Sequence, residues 1–299
     1  MKVLVTGGAG FIGTNLIKRL LDDGHSVISF DNYTTGKKEN HQEGCEYVEV
    51  DITDDYDIQS ELLYEDIDLI YHLAALARIQ PSFKNPTNTF KTNVVGTMNI
   101  MNWAKEHNCP VVYAGSSSKH GGVYKNPYTF TKHQGEEIVE MYNRVYGVPS
   151  AICRFYNVYG PHQLTEGNYC TVVGIFQRQY EEGVELTITG DGEQRRDFTH
   201  VYDIVDGFVK CGNSLVIPNA YNAIVDGETF ELGRGENYSI NVIADSFDAG
   251  YTYIPERPGE VRETLCKDTK AHKLLGWKPT IDILDYIEGI RVEKQISNN

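Results

Sequence analysis

The opening stretch of this chain constrains its fold more than any other. Val3, Leu4 and Val5 read as a short buried strand, and Phe11, Leu16, Ile17, Leu20 and Leu21 then recur at helical spacing. The period changes across Gly7-Gly8-Ala9-Gly10-Phe11-Ile12-Gly13, so a strand, a tight turn and a helix follow one another without a linker. Glycines suit such a turn: one reverses the chain, one lets backbone approach a pyrophosphate, and one lets helix and strand touch. The helix start offers free N–H groups and a partial positive charge to an anion. Two registers fit, Gly8–Gly10–Gly13 and Gly7–Gly10–Gly13, and the setting points to a dinucleotide-binding turn.

The next segments extend the same pattern. Ser26 to Phe30 reads as a second strand ending at Asp31, eighteen residues beyond Gly13, where the ribose-binding acid of a dinucleotide fold belongs. A carboxylate there accepts from both ribose hydroxyls and repels a 2′-phosphate, which favours NAD, while Lys37 and Lys38 nearby leave NADP open. Tyr47 to Val50 reads as strand three, Asp68 to Leu73 as strand four, and Pro110 to Ala114 as strand five, with a long helical region from about Asn88 to Asn108 between the last two. Strands alternating with helices predict a parallel sheet covered on both faces, with ligand groups at the carboxyl ends of its strands.

Strand five runs into Gly115-Ser116-Ser117-Ser118. Tyr128 follows twelve residues after Ser116, and Lys132 one helical turn after that, on the same face of an amphipathic helix predicted over 128–146. The Tyr-x-x-x-Lys spacing alone says little, because 20 tyrosines make about one chance match expected, and Tyr33 to Lys37 is one. Position in the fold selects Tyr128. A free tyrosine, with a pKa near ~10, is a poor base at neutral pH. A neighbouring ammonium and an oxidised nicotinamide both favour the phenolate. Ser116, Tyr128 and Lys132 are therefore the candidate catalytic residues for hydride transfer.

Composition limits the partners. A net charge of −15 opposes general attraction to nucleic acid or to an anionic membrane, so an anionic ligand must be held by local arginines and backbone amides. The six cysteines are scattered without a Cys-x-x-Cys pair, and the nine histidines show no metal-like spacing. With a strand beginning at once and no signal-like leader, reduced thiols and a cytoplasmic location are expected, with no metal and no membrane span.

Taken together, Thr6 to Gly13, Asp31-Asn32, Asp51-Ile52, His72-Leu73-Ala74-Ala75, Asn93 to Thr97, the serine run, Tyr128 to Lys132 and Arg154 to Pro161 resemble the extended short-chain dehydrogenase/reductase family. Gly190 to Phe198 and Arg257 to Arg262 are similar to its nucleotide-sugar epimerase branch, especially UDP-glucose and UDP-N-acetylglucosamine 4-epimerases. The resemblance implies an α/β, Rossmann-type doubly wound parallel sheet with a smaller C-terminal α/β substrate lobe, and NAD as cofactor. It implies phosphate binding by Gly7, Gly10, Phe11 and Ile12, ribose binding by Asp31 and Asn32, and adenine flanked by Asp51 and Ile52. Leu73, Ala74, Ala75, Asn93 and Tyr156 would line the cofactor channel beside Tyr128 and Lys132. Ser116 and Asn157 would meet the sugar diphosphate substrate, Thr187 and Thr189 its base along an edge strand, and Arg196 and Arg257 its pyrophosphate, which suits the planar guanidinium fork.

The chain departs from that family at two places. Ser117 and Ser118 stand where the related dehydratases carry an Asp-Glu pair, which disfavours elimination. The loop 119–127 is short, with His120 where tyrosine is usual, and in the family that loop borders the sugar pocket. The expected division is a cofactor domain over 1–160 and 196–223 and a substrate lobe over 161–195 and 224–299. The expected activity is an NAD-dependent nucleotide-sugar 4-epimerase, most simply on a UDP-sugar. Its rivals are a reductase or a UDP-glucuronate decarboxylase of the same family, or a non-catalytic NAD-binding protein. The family also implies a homodimer through the helices near 90–107 and 128–146.

Overall fold

A computed structural model describes residues 1–63, 65–217 and 225–297. The chain begins β1 (Lys2–Thr6), α1 (Phe11–Asp22), β2 (Ser26–Asp31), β3 (Cys45–Glu49), α2 (Asp55–Glu61) and β4 (Leu69–His72). It continues through α3 (Ile79–Lys84), α4 (Pro86–Phe90), a π turn over Lys91–Gly96, α5 (Thr97–His107), β5 (Val111–Ser116), α6 (Pro127–Tyr146) and β6 (Ser150–Phe155). The long helical region expected from about 88 to 108 is helical throughout, with the π turn widening it between α4 and α5.

A seventh strand, Thr229–Leu232, completes a sheet ordered seventh–β6–β5–β4–β1–β2–β3, every neighbour parallel. Between β1 and β4 the order reverses, which opens a crevice at the carboxyl ends of those strands. The strands are apolar on both sides because both sides are covered. On one face Val3, Val5, Leu16, Ile17 and Phe208 pack together, drawing in α1 and the helix Val201–Val216. On the other, Leu4, Ile70, Trp103, Val111 and Val139 bring in α5 and α6. This is the α/β doubly wound sheet expected.

A third core, built on Phe176, Ile188, Phe247 and Ile287, belongs to the smaller substructure. There Leu186–Thr189 pairs in parallel with Tyr251–Ile254, and Arg195–Asp197 runs antiparallel to Asn237–Ser239. The buried Asp197 carboxylate accepts from the amides of Arg234 at 2.8 Å, Gly235 at 2.9 Å and Cys266 at 2.9 Å, which ties the strand carrying Arg196 to two loops.

The domain division drawn from sequence needs correction in its C-terminal part. Its boundary between 223 and 224 lies outside the described residues. Beyond it, Thr229–Leu232 pairs with β6 in the main sheet, and Ala271 and Trp277 pack into the main core against Phe208 and its neighbours. Both segments were assigned to the substrate lobe. They are short and apolar, and chain order alone does not say which core they cover.

Candidate active site

The glycine turn is resolved as Gly7–Gly10–Gly13. Gly7 has φ +74°, and a Cβ there would come within 2.9 Å of the Ala74 amide nitrogen. A Cβ on Gly13 would meet the Gly7 carbonyl oxygen at 2.2 Å, so α1 can approach β1 only through a bare backbone. Gly8 faces away, against the Ser29 side chain. Gly10 caps α1 with no side-chain acceptor, leaving the first amides of the helix for an anion. Next to this turn the buried Asp31 carboxylate accepts from the Ala9 amide at 3.0 Å and the Tyr33 amide at 2.8 Å. Burial raises its pKa while those two amides oppose the rise. Asn32 donates to Asp51 at 3.2 Å, closing the far end of the cradle.

One continuous cleft of about 1060 Å³ starts at this turn, passes the ends of β4 and β5, and reaches the smaller substructure. Gly7, Gly10, Phe11, Ile12, Asp31, Asn32, Asp51, Ile52, Leu73, Ala74 and Ala75 line its first part. Ser116, Tyr128 and Lys132 lie along its middle, and Asn157, Thr187, Thr189, Arg196 and Arg257 line its other end. Thr187 and Thr189 face the cleft because Leu186 and Ile188, alternating with them, are fully buried.

At the middle, the Tyr128 hydroxyl lies 3.1 Å from Ser116 Oγ, which in turn donates to Ser118 Oγ at 2.9 Å. Tyr128 is placed from two sides. Asn126 caps α6, accepting from the Thr129 amide at 2.8 Å, and Ser82 Oγ of α3 accepts from the Tyr128 amide at 3.1 Å. Burial raises the Tyr128 pKa, while the Ser116 hydrogen bond and the Arg78 charge act to lower it. Lys132 turns its amine to the Tyr113 hydroxyl at 2.8 Å, and burial brings its pKa down to about 8.

At the far end Arg196 lies 3.6 Å from Glu260, and Asn157 is fixed by donating to the Asp197 carbonyl at 2.8 Å and to Thr264 Oγ1 at 2.9 Å. The model of the NAD dependent epimerase/dehydratase family matches residues 3–223, which carry the phosphate cradle, the serine–tyrosine pair and Arg196.

The chain belongs to that family. It is 31% identical to a UDP-glucose 4-epimerase of Mycolicibacterium smegmatis, over 96% of each protein. It is 30% identical to UDP-glucuronic acid decarboxylase 1 of Xenopus tropicalis, over 94% of this chain and 69% of the other. A solved UDP-glucuronic acid 4-epimerase of Bacillus cereus, in complex with UDP-glucuronic acid and NAD, superposes with a TM-score of 0.86 at 28% identity, covering 99% of this chain and 100% of that one. The cofactor is NAD, and the residues present fit it: the glycines leave the space, the capless helix start supplies amides, and the Asp31 carboxylate lines the cleft beside the turn.

Two residues expected in the cofactor channel are buried behind the lining of the main cleft. Asn93 is fully buried beneath the cleft, where its amide accepts from Leu76 N at 2.8 Å and donates to Thr131 at 3.0 Å, so it braces the β4 loop against α6. Tyr156 lines an adjoining cavity of about 200 Å³ together with His120, and Ser117 and Thr264 form the wall it shares with the main cleft. His120 and Gly121 of the short loop after the serines border that cavity. His120 there lies 3.0 Å from Glu231, which also accepts from Arg154 at 2.8 Å.

Sequence reasoning passed over two functional side chains. Glu136 follows Tyr128 and Lys132 on the same face of α6, and its buried carboxylate accepts from the Ser116 amide at 3.2 Å while Arg154 grips it at 2.9 Å. Its i+4 spacing from Lys132 was the available signal. Arg78 lines the cleft beside Tyr128 and donates to the Tyr169 carbonyl at 2.7 Å and the Ala77 carbonyl at 2.9 Å. It falls in no motif, and nothing in its local sequence marks it.

Proposed function

We propose that this chain is a nucleotide-sugar 4-epimerase acting on a UDP-sugar, with NAD bound and not consumed. The observation that carries the reading is the 3.1 Å contact of Ser116 Oγ with the Tyr128 hydroxyl, in a cleft whose one end fits a dinucleotide and whose other end carries Arg196 and Arg257. Tyr128 takes the proton of the substrate C4 hydroxyl, Ser116 holds the same oxygen, and Lys132 supplies positive charge beneath them. Bound NAD supplies the acceptor for the C4 hydrogen and the source from which it returns. Arg196 and Arg257 grip the diphosphate, Asn157, whose amide donors are spent on Asp197 and Thr264, fixes the segment beside them, and Thr187 and Thr189 meet the base. A firmly held nucleotide and a loosely held sugar let the 4-keto sugar turn before Tyr128 gives its proton back.

Ser117 and Ser118 support epimerisation over dehydration, because neither can serve as the acid and base of an elimination at neutral pH. Exposed Met98, Met141, Val145 and Tyr146 on α5 and α6 support a homodimer through those helices. Among the described residues no helix is long and apolar enough to cross a membrane. The test is interconversion of UDP-glucose and UDP-galactose, and of their N-acetylated and uronic counterparts, by purified protein without added cofactor. Stoichiometric consumption of NADH, or release of carbon dioxide, would replace epimerisation by reduction or decarboxylation.

A further inference from the structure

We propose that the sugar this cleft takes carries a carboxylate, a nucleotide-linked hexuronic acid, and that Arg78 is the residue that holds it. The inference rests on the nucleotide-sugar reading above and adds the substrate class. Its basis is an imbalance of charge at the reacting end of the cleft. Arg196 has Glu260 at 3.6 Å, and Lys132 has the charge of the Glu136 carboxylate, one helical turn along α6, acting on it. The Arg78 guanidinium has two neutral carbonyls and, among the described residues, no carboxylate within ion-pairing distance. The titratable groups around it are Tyr128, Tyr169 and Cys170, all neutral at neutral pH.

The position of that cation narrows what the missing anion can be. Arg78 immediately precedes α3, and α3 holds Tyr128 through the Ser82 contact at 3.1 Å. From there its side chain crosses to the carbonyl of Tyr169, on the loop that forms the opposite wall. It therefore lines the cleft beside Tyr128, the residue proposed to meet the C4 hydroxyl, and not at either proposed phosphate grip. The cofactor's pyrophosphate belongs at Gly10 to Ile12, and the substrate's at Arg196 and Arg257. An anion reaching Arg78 must come from the sugar ring itself, and a C6 carboxylate, one bond from C5 and two from C4, is the group that places negative charge there. A guanidinium with an open N–H edge suits a carboxylate through paired, charge-assisted hydrogen bonds. A neutral hydroxymethyl group in the same place leaves the cation uncompensated, and a site built for a charged partner rejects the neutral analogue strongly.

The test compares UDP-glucuronic acid with UDP-glucose on the full chain with its bound NAD, in the wild type, Arg78→Met and Arg78→Lys, by calorimetric binding and by NMR of the products. UDP alone and thermal melting report on folding and on the nucleotide grip. The expected result is wild-type preference for the uronate of at least about tenfold in Kd. Arg78→Met removes that preference, Arg78→Lys restores part of it, and UDP binding is unchanged in all three. Using the ratio between two sugars cancels any effect of Arg78 on Tyr128 that both share. Equal binding of the two sugars by the wild type, or an unchanged ratio in Arg78→Met, overturns the assignment. Uronate selectivity through Arg78 combined with loss of carbon dioxide, or with no turnover, upholds the assignment and removes the epimerase reading. Interconversion of UDP-glucose with no Arg78 selectivity does the reverse.

Discussion

Lys132 Nζ donates to the Tyr113 hydroxyl at 2.8 Å and stands 4.2 Å above the same ring. β5 and α6 are thus joined at the charge that the proposed chemistry uses. Tyr113→Phe keeps the ring and its attraction for the cation but removes the oxygen acceptor. A buried ammonium then loses a partner, and the expected loss of stability is about 1–3 kcal/mol. Urea unfolding of the variant with NAD removed measures it, and an unchanged midpoint would show that the contact contributes nothing.

Tyr128→Phe removes the proton acceptor and leaves the Ser116–Ser118 contact in place. Turnover is expected to fall by about 10² to 10⁴, the usual contribution of a positioned general base. The NAD content of purified protein, read by absorbance after acid release, should match that of the wild type. Loss of NAD together with turnover would assign Tyr128 to cofactor binding instead.

The glycine turn and the sheet were legible because each rests on local pattern. Gly7 needs positive φ and Gly13 needs bare backbone, and both demands are written in adjacent residues. The pairing of Ser116 with Tyr128 was legible through the family resemblance and through position at the end of β5. The burial of Asn93 and Tyr156 behind the cleft lining was not legible, because membership of a motif does not say which way a side chain turns. Asn93 is consumed by the Leu76 and Thr131 groups, and Tyr156 by the cavity behind Ser117. The seventh strand was misassigned because its partner, β6, lies more than seventy residues away, and no local signal records such a pairing. Arg78 was invisible for the same reason: its role comes from Tyr128 and Tyr169, brought to it by the fold.

His72 gives the protein a specific response to acid. Its ring is fully buried between Thr6 Oγ1 at 2.6 Å and Thr97 Oγ1 at 3.0 Å. Burial, helped by the Lys132 charge, lowers its pKa to about 3. The unfolded chain binds a proton at this histidine below about 6.5, while the folded chain stays neutral there until about pH 3. The stability His72 contributes is therefore fully present above about 6.5 and is lost progressively as pH falls toward 3. The loss amounts to about 1.4 kcal/mol per pH unit within that window. His72→Gln is neutral at every pH, so its stability relative to the wild type should rise by about 2–3 kcal/mol between pH 6.5 and 4.5. Parallel curves for the two proteins over that range would contradict the assignment.

The exposed apolar groups of α5 and α6 lead to a prediction about assembly. Val145 is 65% exposed, Tyr146 52%, Met98 41% and Met141 40%, although both helices are packed on the sheet through their other faces. Met141 and Val145 are four residues apart and share one stripe of α6, so a second copy could cover them together. Single exposed apolar residues need no explanation, but several along two neighbouring helices favour an interface. The wild type is expected to sediment at twice the mass of one chain at micromolar concentration. Val145→Arg combined with Met141→Arg places two like charges across the axis of a symmetric pair, so the doubled mass should be lost while the thermal melt of the single chain persists. A wild type that sediments as one chain at that concentration removes the proposed dimer, and a charged variant that still pairs places the interface on another face.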